Sequence, residues 1–472
     1  MQNIVEDYSI AGSNIQGSIS QVEDNAYSAS KFIDKITQVF QTSKYIPAPL
    51  REKISQLITE QTEKSLLDKL FQNGFTFPID KDLKSPATRV MFSNSNDVRQ
   101  QICLKMWLEC NNGVYDTADL VRCTEYLLEG LKFNRRSASD ICIGIVPIVT
   151  GNELEENVIQ CGPLIRKPDG LKLDFNKPYA LVMKRLDERG RLDHQLYTDG
   201  LGNEQGMEFL AREIAHMHQQ YVESPIDMGT PKSLSAKLQF NRQRFHEALD
   251  CVRKDPRRPY PDIRKRIGDE GIRWFRSVSW QLEQVGKIQQ PNFESFEQRH
   301  NSKHIHRCHG DLKTTNLWIC QPNNPRSRSQ ASNRRLVALD CVDFKPEFCH
   351  IDTLSDVAML AIDLEMRLTS WSRDPQDQER GRELTQLFLN TYLDEMCEKE
   401  SARLLLEYYL TEKAMVCMYM SILYDDLPSL GEKYLSVVLN HSQKLADYLP
   451  PKIGKRITRP LALMTGGTIQ HG

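Results

Sequence analysis

No uninterrupted apolar run approaches the ~18 residues a membrane-spanning helix requires, so the sequence points to no membrane partner. No CxxC pair occurs among its 12 cysteines, which are scattered singly. That excludes a dense disulfide framework and fits thiols kept reduced in a cytoplasm. Neither charge sign is in excess: 61 Lys+Arg against 63 Asp+Glu leaves −2, too even to predict nucleic acid or a membrane surface as partner. The opening MQNIVEDYSIAGSNIQ lacks the basic start and apolar stretch of a secretory signal, and no internal repeat is visible. What is present is ordinary: 472 residues, 40% hydrophobic and 26% charged. At ~150 residues per domain, that is enough for two or three domains. The expectation is a soluble cytoplasmic protein.

Residues 1–28 are rich in Ser, Asn and Gln and read as a disordered lead-in. From Phe32 to Phe71 the apolar residues recur at helical spacing. Ile102 to Leu108, Ile141 to Val149 and Tyr179 to Met183 are strand candidates, the last following an Asp169-Gly170 turn. Between the first two, Asp116 and Thr117 can cap a helix reaching about Arg135. From about residue 203 helix dominates. The exceptions are Leu317 to Ile319 and Val337 to Leu339, which read as a hairpin around the polar stretch QPNNPRSRSQASNRR. The whole pattern is α+β: a small mixed sheet, then a larger helical part.

The sharpest local signal is His309-Gly310-Asp311-Leu312-Lys313-Thr314-Thr315-Asn316, followed by the apolar run Leu336 to Leu339 and then Asp340. Phosphoryl transfer needs a carboxylate to accept the hydrogen bond of the attacking hydroxyl, and oxygen ligands to hold Mg²⁺ on the phosphates. An Asp and an Asn five residues apart on one tight loop, Asp311 and Asn316, can fill two of those places. Asp340, directly after a strand, can supply a second metal ligand. The competing reading is a capped surface turn beside an unrelated strand-ending Asp.

CHGDLKTTN, ALDCVDF and IDTLSDVAMLAIDLE together resemble the aminoglycoside-phosphotransferase-like branch of the protein-kinase-like fold. Within it, the similarity is to the subset that usually carries a C-terminal P-loop kinase domain. The resemblance extends through LKMWLECNNGVYDTADLVRCTEYLLEGLKFNRR, ICIGIVPI, ALVMKRL and LLLEYYLTEKAMV, over roughly residues 65 to 425. It implies a bilobal α+β fold: N-terminal helices over 29–80 packing on the small lobe, a small lobe over 81–186, a helical lobe with the catalytic loop over 187–450, and a tail over 451–472. It also implies an ATP-dependent (or GTP-dependent) small-molecule kinase acting on a hydroxyl. Asp311 then matches the base, and Asn316 and Asp340 the Mg²⁺ ligands, with Asp343 as fallback. Lys105 matches the lysine that reaches the ATP phosphates, paired by Glu129, with Glu125 one turn earlier as the alternative. Met183, Lys184 and Arg185 fall on the connection that meets adenine. His309 and Asp356 match the structural supports of the loop. A lone Lys within ICLKMWL is in any case costly to bury unpaired, unless it lies at an edge with its head in water.

Several positions depart from the family pattern. Position 313 is Lys where His is usual, which can add charge stabilisation to the transferring phosphate. Asp343 stands where Glu is usual, no Gly-rich loop is evident over residues 88–101, and the region of Lys413 and Cys417 lacks expected arginines. Those losses favour a rival reading, a catalytically weak or inactive nucleotide-binding regulatory module. Lys313 favours a third, a protein kinase, against which HGD in place of HRD argues. His304, His306, Cys308, His309, Cys341, Cys349 and His350 crowd one hairpin and raise the alternative of zinc, although His309 is claimed by the loop and single Cys commonly serve as small hydrophobes. The closing GTIQHG fits GxxxxG without the Lys-Ser/Thr a phosphate loop requires. It reads either as a ragged tail or as the start of a P-loop domain that is separately encoded.

Overall fold

The computed structural model describes residues 74–85, 87–93, 101–111, 115–149, 158–168, 170–198, 200–254, 295–320, 334–372, 374–423 and 428–449. The expected lead-in, the helices between Phe32 and Phe71, the loop after Cys320 and the tail lie outside these residues. The described chain forms two compact units. One comprises residues up to 84, 88–107 and 143–185; the other comprises 85–87, 108–142 and the rest.

The first unit is a seven-stranded sheet. Its strands are β1 (Phe75–Pro78), β2 (Lys81–Lys84), β3 (Thr88–Phe92), β4 (Ile102–Trp107), β5 (Cys142–Val149), β6 (Val158–Cys161) and β7 (Tyr179–Lys184), in the order β1-β6-β5-β7-β4-β3-β2. β4 pairs antiparallel with both β3 and β7. Alternation along a strand sends neighbours to opposite faces, so Ile102 and Leu104 join Phe77, Met91, Ile143, Ala180 and Val182 in the core. Cys103 and Lys105 therefore face the other way. The register pairs Cys103 with Met183 and Lys105 with Leu181, placing Lys105 and Met183 on the same face of the sheet. The three predicted strands are found within a residue or two. The sheet, however, begins at Phe75 rather than after residue 80, because FTFP pairs with VIQC as its edge.

The second unit is helical. Its helices are α1 (Leu120–Ala138), α2 (Leu192–Thr198), α3 (Glu204–Gln219), α4 (Pro231–Lys254), α5 (Phe296–Asn301), α6 (Pro346–Cys349), α7 (Thr353–Ser370), α8 (Pro375–Glu395), α9 (Ala402–Leu423) and α10 (Pro428–Tyr448). α7 is buried on every side from Thr353 to Met366, and α8, α9 and α10 pack around it. Two short antiparallel pairs complete the unit: β8 (Ile305–Arg307) with β11 (His350–Asp352), and β9 (Leu317–Cys320) with β10 (Arg335–Ala338). The hairpin read from the sequence is the second of these. α1 belongs to this unit and not, as the 81–186 boundary implied, to the sheet. Its N-cap is Asp119, whose side chain accepts from the Arg122 N–H at 2.8 Å. Thr117 is withdrawn from capping because its hydroxyl donates to Leu108 O and accepts from the Cys110 N–H, while Asp116 pairs with Arg122. Among the described residues, no helix is long and apolar enough to cross a membrane.

Candidate active site

The loop from Cys308 to Lys313 leaves β8, closes in a 3₁₀ turn at Thr314–Asn316 and enters β9. Such a loop is a poor structure for its own backbone, since its N–H groups have no ladder to join. The buried helix α7 supplies the missing acceptors. Asp356, fully buried, accepts from the His309 N–H at 3.0 Å and the Gly310 N–H at 2.8 Å. Two turns further along the same face, seven positions on, Asp363 accepts from the Thr314 N–H at 2.8 Å and from the Thr314 hydroxyl. Asp363 also accepts from Tyr434 Oη at 2.9 Å and Arg367 Nε at 3.2 Å. Two carboxylates one heptad apart thus pin the two ends of the loop.

Burial alone would raise the Asp356 carboxyl, but the His218 imidazole, then His309 and the Gly310 N–H, hold it below its usual value. His218 Nε2 lies 3.3 Å from Asp356 Oδ2, and its Nδ1 is 2.7 Å from Tyr392 Oη. His309 is itself fully buried, which lowers its pKa and keeps it neutral. Its Nε2 is 2.9 Å from Leu339 O while Nδ1 accepts from the Asp311 N–H at 3.3 Å, which assigns the Nε2–H tautomer. That ring therefore ties the loop to the end of β10 and has no lone pair to spare for zinc.

Gly310 has φ +85, and a Cβ there would lie 2.7 Å from Phe348 O, so only glycine fits. The turn it makes delivers Asp311 to the surface with one-third of its side chain exposed. Asn316 Nδ2 donates to Asp311 O at 2.9 Å and to Asp311 Oδ2 at 3.2 Å. Lys313 Nζ lies 2.8 Å from Asp311 Oδ1. Burial opposes the charge on Lys313, but the Asp311 carboxylate outweighs it and holds the ammonium above its ordinary pKa. Because the Asn316 amide spends its nitrogen on Asp311, its Oδ1 is the atom left to meet a cation.

Asp340 follows β10 and is exposed in the left-handed region at φ +63, where Asp is among the few side chains readily tolerated. The Leu339 N–H donates to Asn316 O at 2.9 Å, so the backbone just before Asp340 is bonded to the loop. Asp343 is half-buried and packs on Gly130 of α1, where a Cβ would collide with its Oδ2. Glu129 and Glu125 are both exposed on α1.

In the sheet unit, Lys105 is 8% exposed with Nζ 5.4 Å from the centre of the Trp107 ring. It is a buried lysine in an interior strand and not an edge lysine with its head in water. Met183 is buried and Lys184 half-buried. The chain passes from one unit to the other between Arg185 and Leu186. Arg185 is committed locally: its backbone N–H donates to Gln101 O at 2.9 Å, and its guanidinium lies 5.2 Å from the Phe92 ring and 3.8 Å from Asp80.

The suspected zinc cluster does not converge. Among the described residues no group of three or more His, Cys, Asp or Glu side chains is arranged to hold a metal. Cys308 and Cys341 instead pack with Phe133, Tyr221 and Ile351, and His350 Nδ1 is 2.8 Å from Ser224 Oγ. Sequence reasoning also missed Asp363, His218 and Arg307. The spacing of Asp363 from Asp356 was a usable signal, whereas His218 and Arg307 reach the loop only through the fold. Arg307 lies over the Phe133 ring at 4.4 Å and donates to Val342 O at 2.8 Å, fixing the segment that follows Asp340.

No protein-family model matches the chain, and no curated protein sequence does. Among solved structures, it is similar to a glucosamine kinase in complex with glucosamine, ADP and inorganic phosphate, at 11% identity, TM-score 0.41 and 83% of each chain. It is also similar to a microcompartment-associated aminopropanol kinase, at 11% identity and TM-score 0.41, over 84% of this chain and 99% of that one. A likeness of this degree gives no residue a role.

Proposed function

We propose that the protein is a small-molecule kinase that transfers the γ-phosphoryl group of ATP, or GTP, to a hydroxyl. The observation that carries this reading is the loop: a half-buried Asp311 whose carboxylate is held by Asn316 and Lys313, on a backbone pinned by two buried carboxylates. That amount of buried scaffolding is out of proportion for a surface turn, because each ionised carboxylate taken from water is costly unless fully bonded. Asp311 accepts the proton of the attacking hydroxyl as its oxygen bonds to the γ-phosphorus and the bond to the β-phosphate oxygen breaks. Lys313 carries positive charge beside it, matched to charge that develops on the transferring group.

Asn316 Oδ1 and the Asp340 carboxylate are hard oxygen donors, a set suited to Mg²⁺, with phosphate oxygens and water completing the shell. Bound there, Mg²⁺ would neutralise charge on the phosphates. Lys105 is assigned to the nucleotide phosphates, the place its counterpart in the resembling family would hold. Met183 lies on the same sheet face, and Met183 to Arg185 are assigned to the adenine edge, Arg185 by its carbonyl because its N–H is taken. The test is transfer of label from γ-labelled ATP over a panel of amino sugars, sugars, choline-like alcohols and proteins. A labelled small-molecule product supports the reading; label on protein alone, or none with ATP still bound, sinks it.

A further inference from the structure

α9 meets α7 through Cys417, whose Sγ lies 3.5 Å from Met359 Sδ. It meets α4 through Glu412 and Tyr419, which bond the Asn241 side chain at 2.9 Å each. At 3.6 residues per turn, Lys413, Val416 and Met420 fall on the strip of α9 between those two faces. Val416 and Met420 are half-buried, so the strip reaches solvent. The catalytic loop is beside it: Lys313 and Asp311 act on the Cys417 thiol, one helix turn from Lys413.

Lys413 is only 5% exposed, yet among the described residues its ammonium has no hydrogen bond and no carboxylate partner. Its charged neighbour on α4 is another buried cation, Lys237. Burial lowers the Lys237 pKa to about 8 against the pull of Glu412, and the like charge of Lys413 lowers it further. The carboxylates nearby are already matched. Glu412 lies 3.4 Å from Lys237 Nζ, and Asp311 lies 2.8 Å from Lys313 Nζ. Asp352 also attracts Lys237, but both its oxygens are bonded to Arg299. The ammonium left over is Lys413. A buried charge without a counter-ion is costly, so this one is kept for an anion that comes from outside the fold.

We propose that the phosphoryl acceptor is an anionic alcohol, a small molecule that bears a carboxylate or phosphate besides its reacting hydroxyl, and that Lys413 holds that anion. This rests on the reading of Asp311 as the base. The hydroxyl oxygen bonds to the γ-phosphorus, its proton passes to Asp311, and the nucleoside diphosphate leaves. The anion sits roughly one helix turn away, ~5 Å, which suits a compact hydroxy acid or polyol phosphate. Lys413 meets it as a point charge, which accepts either group.

The test pairs acidic alcohols with neutral twins: glycerate and glycerol 3-phosphate against glycerol, gluconate and glucose 6-phosphate against glucose. Melting temperature of the full chain reads binding, and γ-labelled ATP reads transfer. At least one acid raises the melting temperature by about 2 °C or more where its twin does not, and takes label with kcat/KM at least about tenfold above it. Whether carboxylates or phosphates respond identifies the anion. Lys413→Met closes both gaps and Lys413→Arg keeps them. Without ligand, Lys413→Met melts higher than the parent, because it keeps the side chain's length and removes an unpaired buried charge. Acids that bind no better than their twins, gaps undiminished in Lys413→Met, or a lower melting point for that variant without ligand overturn the proposal. A binding gap with no transfer to any alcohol overturns the kinase reading, and the acceptor role with it.

Discussion

Replacing Asp356 by Ala removes both acceptors of the His309 and Gly310 N–H groups at once. The site is fully buried, so no water takes their place. A hydrogen bond to an ionised partner is worth about 1.5–3 kcal/mol, and orphaning a buried donor forfeits its full desolvation. Two such bonds put the loss at about 3–6 kcal/mol. Asp356→Asn keeps one acceptor oxygen and turns an amide N–H against the other donor, so it should lose about half as much. The folded carboxyl is held below its ordinary value, so its stabilisation is present above the unfolded pKa of 3.8 and is lost as pH falls through the lower folded value. The Asn variant should therefore lie below the parent at pH 7 and converge on it in acid. Urea unfolding of parent, Asn and Ala forms at pH 7 and pH 3.5 measures this, with phosphotransfer followed in parallel. A loss under about 1 kcal/mol for Asp356→Ala, with turnover unchanged, would refute the claim that α7 holds the loop.

Burial opposes a charge on His441, but Glu365 and Glu407 outweigh it and raise its pKa to about 9. Its stabilisation is complete below the unfolded pKa of 6.5 and lost as pH rises through about 9, so unfolding free energy should decline between those limits by at most about 3 kcal/mol. His441→Gln should flatten that slope, and a parent already flat would contradict the triad. Tyr434→Phe removes one of the bonds to Asp363 and should cost about 1–2 kcal/mol in chemical denaturation; a variant as stable as the parent would count against the second pin. Gly310→Ala must adopt a left-handed φ against Phe348 O, at a cost of about 1–3 kcal/mol plus displacement of Asp311, read as a lower melting temperature with reduced turnover.

The sequence made the central strands and the catalytic loop legible because their signals are local. ICLKMW and YALVMK are apolar runs broken only by one lysine each, as expected of interior strands. HGDLKTTN places its polar groups on one turn by chain geometry alone. The strands that escaped, β1, β2, β3, β6, β8 and β11, are short, and several lie at the sheet edge or alternate with polar residues. IHR and HID become strands only because they pair with each other across forty residues. The cap of α1 lies two residues after Thr117 because Thr117 is consumed by Leu108 and Cys110, a tertiary use that no capping rule contains. The zinc alternative failed for a similar reason: seven ligand-type residues are near in sequence, but the fold assigns the described ones to carbonyls, a hydroxyl and an apolar cluster. Asp363 could have been found, since a second carboxylate one heptad after Asp356 on a mostly apolar helix needs a buried partner.

The most direct measurement is γ-phosphoryl transfer by Asp311→Asn beside the parent chain, with Mg-ATP affinity measured on both. The substitution keeps the side chain's size and a hydrogen bond from Asn316 while removing the base. The account predicts ATP affinity within a few-fold of the parent and turnover lower by ~10²–10⁴. Turnover within a few-fold of the parent, at unchanged ATP affinity, would contradict the assignment of Asp311 as the base.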